Sequence, residues 1–107
     1  MAATPEKKVK DDVRKRLNAR HVFHFMPATY GFGASGIADI VGCYLGKFFA
    51  VECKAGDNRP TMLQVKNLQR VSDAGGYAIV VNERNLDDVD WMLDKIEQDV
   101  GYQKHEP

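Results

Sequence analysis

Two apolar runs with a two-residue break between them constrain this chain more than any other feature: Ile37-Ala38-Asp39-Ile40-Val41-Gly42-Cys43-Tyr44, then Leu45-Gly46, then Lys47-Phe48-Phe49-Ala50-Val51-Glu52-Cys53-Lys54. Runs rich in β-branched and aromatic residues around a glycine-containing pair predict a β-hairpin. If Leu45-Gly46 is the whole turn, Tyr44 pairs with Lys47, and counting outward sets Asp39 opposite Glu52. Directly opposed residues share a face, with Cβ atoms roughly 4.5–5.5 Å apart. Lys54 lies two positions beyond Glu52, so strand alternation carries it to that same face. A three-residue loop at Tyr44-Leu45-Gly46 would instead shift the pairing by one and turn Asp39 to the opposite face.

Two carboxylates held that close, in strands as apolar as Ile40, Val41, Phe48, Phe49 and Val51 make them, repel unless one is protonated or a cation lies between them. Oxygen ligands favour a hard divalent ion. Mg²⁺ takes one or two carboxylates and completes its shell with water and phosphate oxygens, and Mn²⁺ is expected to substitute. The outline is that of a phosphodiester-hydrolysing centre in which Asp39 and Glu52 hold metal. Lys54 would orient the attacking water or offset charge in the transition state. A solvated surface ion pair is the alternative, and strands this apolar argue against it.

At these residues the chain resembles the PD-(D/E)xK nucleases, and more closely the virus-type replication-repair nuclease (VRR-NUC) family in its stand-alone form. Gly36-Ile37-Ala38-Asp39 is similar to the first part of the motif, with Ala38 where a proline usually stands, and Glu52-Cys53-Lys54 is similar to its E-x-K part. The resemblance runs from about Thr4 to Val81 and adds a glutamate in the first helix, here Glu6, and a glutamine after E-x-K, here Gln64. It implies an α/β fold with a restriction-endonuclease-like αβββαβ core, a mixed sheet flanked by helices, and one additional C-terminal helix. It further implies a Mg²⁺-dependent endodeoxyribonuclease whose catalytic residues are Asp39, Glu52, Lys54, Gln64 and Glu6, with Asp39, Glu52 and Glu6 as metal ligands. Stand-alone members look like four-way (Holliday) junction resolvases, which implies a homodimer acting on branched DNA in a bacterial or phage-infected cell. A flap or nicking endonuclease of the same fold, or a non-catalytic module that binds branched DNA, are the alternatives.

Periodicity offers an independent view of the two helix residues. Thr4-Pro5 is a strong helix start, and Val9, Val13 and Leu17 mark an apolar stripe along which Glu6 also points. Such a carboxylate serves either the metal or, exposed in the first turn, the helix dipole. Gln64 precedes Leu68 and Val71 on the stripe of a helix starting near Pro60-Thr61. A buried amide needs hydrogen bonds, either to backbone groups or, as expected here, toward Lys54 and the attacking water.

The predicted order is helix 5–19, strand 22–26, hairpin 37–44 and 47–54, helix 60–73, strand 77–82 and helix 86–98. Tyr77-Ala78-Ile79-Val80-Val81 reads as a strand buried on both faces, joined to the hairpin by a parallel crossover. Val89, Met92, Leu93 and Ile96 form the stripe of the last helix, with Trp91 off its centre as a docking contact. Cys43 and Cys53 fall on opposite hairpin faces, too far apart in direction for a disulfide, and are expected to be small buried apolar residues. His21 and His24 are expected to pack in or at the edge of the first strand. With 107 residues the chain is read as one domain, core about 4–98 and polar tail 99–107. No stretch reaches the ~20 apolar residues of a membrane span and no apolar signal region begins the chain, so an intracellular, cytoplasmic protein is expected.

Net charge is zero, but Lys and Arg outnumber acids 12 to 7 through Asn82, whereas acids lead 8 to 3 from Glu83 onward. A basic front and an acidic back are the polarity expected of a face that meets a phosphate backbone. Lys7, Lys10, Arg14 and Arg59 are the candidate DNA contacts. Tyr30 joins them from the glycine-rich segment 27–36, where it and Phe32 are positioned to stack on distorted DNA or to cover the core.

Overall fold

The chain runs α1 (Pro5–Ala19), β1 (Phe23–Phe25), β2 (Ile40–Tyr44), β3 (Lys47–Cys53), α2 (Met62–Asp73), β4 (Tyr77–Val81) and α3 (Asp87–Val100) in a computed structural model that describes residues 4–28 and 36–103. This is the expected αβββαβα order, an α/β fold with a mixed four-stranded sheet and three flanking helices. Among the described residues no helix is long and apolar enough to cross a membrane.

The hairpin closes in the two-residue register. Tyr44 pairs with Lys47 and Ile40 with Val51. Leu45 and Gly46 have φ of 51° and 82°. Positive φ at both central positions is what the tightest hairpin turn requires, and its twist matches that of the flanking strands. Counting one step past Ile40–Val51 sets Asp39 opposite Glu52. The strands lie in the order β1-β2-β3-β4, with β3 and β4 parallel and α2 as their crossover.

Alternation divides the sheet into two unequal faces. One carries Ile40, Phe49, Val51, Cys53 and Val81, which form the core with Val9, Val13 and Leu17 of α1 and Val89, Met92, Leu93 and Ile96 of α3. With Val22, thirteen of the described residues are buried in this one cluster, which makes this the dry side. The other face carries Val41, Cys43, Phe48, Ala50 and Glu52, and α2 packs over part of it, leaving a groove of about 570 Å³ lined by Ile37, Val41, Phe48, Ala50, Leu68 and Val71. Gly36 holds the start of the Asp39 segment against α2. Its φ is 94°, and a Cβ there would stand 2.8 Å from the Leu63 side chain.

Several expectations need correcting. β4 is an edge strand rather than one buried on both faces, and its Val80 is partly exposed, because strand order rather than composition decides which strand is central. No α2 residue is fully buried, so Leu68 and Val71 line an open groove instead of sealing a core. Cys43 is exposed while Cys53 is buried. His21 is outside the strand. It is exposed, with φ 57°, and it ends α1 through His21 N–H to Asn18 O (3.0 Å) and Val22 N–H to Leu17 O (3.0 Å), the double bond of a left-handed helix stop.

The charge reading also changes. Arg16 reaches Asp87 (3.0 Å) and Asp90 (2.6 Å), and Arg20 reaches Asp94 and Glu97 (2.9 Å each). Glu97 also accepts from the Tyr44 hydroxyl at 2.5 Å. The basic end of α1 is therefore clasped to the acidic α3 across the core, and the expected separation of a basic front from an acidic back is smaller than the linear charge count implies.

Candidate metal centre

Three elements converge where β2 begins and β3 ends. Asp39 stands one residue before β2, and its Oδ2 accepts the Cys53 N–H at 2.8 Å, extending the hairpin ladder by one side-chain bond. Its Oδ1 lies 3.3 Å from the Lys10 ammonium of α1. Glu52 is 1% exposed, the one buried charged residue among the described residues. Its Oε2 lies 3.3 Å from the ammonium of Lys54, whose N–H donates to Val81 O at 2.9 Å and so fixes the strand end. Glu52 Oε1 is buried without a hydrogen-bond partner.

Such an orphaned acceptor carries a full desolvation penalty. Burial, followed by the negative charge of Asp39, pushes the Glu52 carboxyl up from 4.5 to about 7, with Lys54 opposing. The same surroundings, burial first and then the charges of Asp39 and Glu52, push the Cys53 thiol up to about 12, so it stays protonated and inert. The pair is thus under the strain expected of two carboxylates gathered in a dry place. Oxygen donors, one of them unsatisfied, suit a hard divalent cation such as Mg²⁺, which needs no more than one or two carboxylates.

The sequence-predicted residues divide as follows. Asp39, Glu52 and Lys54 are brought together. Glu6 sits half-buried at the start of α1 and its charge reaches the Cys53 thiol, but among the described residues no three His, Cys, Asp or Glu side chains gather as a metal-ligand set, so Glu6 does not join the pair. Gln64 is drawn elsewhere: its Oε1 accepts from Thr61 N–H at 2.8 Å, while Thr61 Oγ1 accepts from Gln64 N–H at 3.2 Å. This reciprocal box caps α2 and engages the Gln64 side chain with backbone, the backbone alternative.

Of the candidate DNA contacts, Lys7 pairs with Asp11 at 3.0 Å on the exposed side of α1. Arg14, one turn past Lys10, has its Nε buried without a partner. Arg59 is exposed in the loop after Lys54, a loop tethered by Gly56 N–H to Glu83 at 2.9 Å and by the Arg84 guanidinium to Gly56 O at 2.6 Å. Tyr30 lies outside the described residues, as does Phe32. The pairing of Lys10 with Asp39 is the feature that sequence reasoning missed. Its signal is the spacing of Glu6, Lys10 and Arg14, one turn apart on one side of α1.

No protein-family model matches this chain, and no curated protein matches it significantly.

Proposed function

We propose that this chain is a Mg²⁺-dependent endodeoxyribonuclease of the PD-(D/E)xK type, similar to the stand-alone VRR-NUC proteins, that cuts branched DNA such as a four-way junction as a homodimer. The observation that carries this reading is the buried Glu52 carboxylate, one oxygen without a partner, opposite Asp39 and 3.3 Å from Lys54. Nothing in ordinary packing rewards two adjacent carboxylates at the end of apolar strands.

In this reading Asp39 and Glu52 hold the cation from one side of the sheet end. Bound Mg²⁺ would supply Lewis acidity toward a phosphodiester and toward water. Lys54, tied to β4 by its backbone N–H, holds positive charge where the pentacovalent phosphate gains negative charge, or orients the water that attacks. A single chain offers one such pair, and symmetric cutting of a junction needs two at a fixed separation, which a twofold dimer supplies.

The test is cleavage of linear, flap and four-way substrates with Mg²⁺ or Mn²⁺ against EDTA. Lys54→Ala is expected to lower cutting by at least about a hundredfold while junction binding stays within about threefold of wild type. Equal loss of both would make Lys54 a phosphate anchor instead. A second reading, a non-catalytic module binding branched DNA, is favoured by one observation: Lys10 and Lys54 already partner Asp39 and Glu52. Junction binding with no metal-dependent cutting of any substrate would select it.

A further inference from the structure

We propose that Lys10 is a built-in competitor for the divalent cation, its ammonium occupying the Asp39 side of the carboxylate pair so that metal enters by displacing it. The inference rests on the metal-dependent reading of the same residues and adds the group that sets their metal affinity.

The oxygens of the pair are not equivalent. Asp39 Oδ2 accepts the Cys53 N–H, a buried donor that has to keep an acceptor. Glu52 Oε2 faces Lys54, which leaves the same strand two residues later. Glu52 Oε1 has no partner. A cation held by both carboxylates takes an oxygen from each, and on Asp39 that oxygen is Oδ1, which Lys10 holds at 3.3 Å.

Lys10 is also the lysine that can leave. Its side chain is 29% exposed against 15% for Lys54, and its flexible stem comes from a helix rather than from the strand that carries the pair. Glu6 stands one turn before it, in the favourable order of acid preceding base, and offers the displaced ammonium a second partner. Charge points the same way. Two carboxylates and two ammoniums balance without metal, and a divalent ion added with Lys10 still in place would leave the site strongly cationic and repelled. With Lys10 swung out, the excess is one positive charge, suited to a phosphodiester.

Mn²⁺ binding is measured calorimetrically at pH 8 for wild type, Lys10→Gln, Lys10→Arg and the control Lys95→Gln, whose wild-type residue pairs with Asp99 within α3. Each variant's thermal unfolding is measured alongside. Lys10→Gln is expected to bind Mn²⁺ about three- to tenfold tighter than wild type, and Lys95→Gln within about twofold of it. Lys10→Arg, whose guanidinium grips a carboxylate with two donors, is expected to bind about threefold weaker, and it tests the proposal even if Lys10→Gln unfolds. Wild-type binding with Lys10→Gln no tighter, or with Lys10→Arg tighter, overturns the competition and leaves the nuclease reading standing. If neither wild type nor Lys10→Gln binds Mn²⁺, the carboxylate pair is no metal site and both fall together.

Discussion

Glu52 is the residue whose ionisation should register most clearly in stability. Its folded value of about 7 lies above the 4.5 it has when unburied, so between those values the folded chain holds a proton that the unfolded chain has lost. Stability from this group is therefore greatest in acid, declines as pH rises from about 4.5 to about 7, and levels off beyond. Glu52→Gln removes the buried charge. In EDTA it should be more stable than wild type at pH 8 by on the order of 1–3 kcal/mol, with the gain shrinking toward pH 5. Urea unfolding at the two pH values checks this, and a variant less stable than wild type at pH 8 would mean that Lys54 outweighs burial and Asp39. Asp39, Glu52 and Lys54 were legible in the sequence because strand alternation and a two-residue turn fix their common side. Gln64 was not, because the choice between a helix cap and an active-site contact depends on which neighbour arrives, and Thr61 three residues away always does.

The elements show the same division between local and long-range causes. α1 runs Pro5–Ala19 as its cap and apolar spacing predict, and the hairpin takes its predicted register, since both are decided by residues close in sequence. The edge position of β4, the half-open packing of α2 and the clasp between α1 and α3 depend on how distant segments meet, and no spacing within one segment encodes that. The stop of α1 gives an element-scale prediction. His21 occupies a left-handed conformation, φ 57°, that costs any residue with a Cβ. His21 is exposed, so His21→Gly should raise stability by about 0.5–1 kcal/mol, read as a higher urea midpoint with unchanged slope. A lower midpoint would show that the ring makes contacts outweighing the strain.

Across the whole molecule, pairing has used much of the positive charge that the linear count offered to DNA. Arg16 and Arg20 serve α3, and Lys7 serves Asp11. Lys8, Lys15, Arg59, Lys66 and Arg70 stand exposed. A protein making about three to five phosphate contacts per chain should bind junction DNA with a log–log salt slope of roughly −3 to −5 per chain. A slope near zero in a titration from low to moderate salt would exclude this surface as the DNA-binding face. The side of the sheet bearing Glu52 also bears an apolar strip, with Phe23 67%, Phe25 51% and Phe48 47% exposed. Cys43 lies within it, paired across from Phe23 and Phe48. Because Cys53 is sealed in the core and inert, the chain carries a single outward thiol, set among these exposed aromatic rings. Alkylation kinetics at Cys43 thus provide a native footprinting probe. Slower modification at higher protein concentration would report a second copy resting there, and slower modification on adding junction DNA would report the nucleic acid, without any label being engineered.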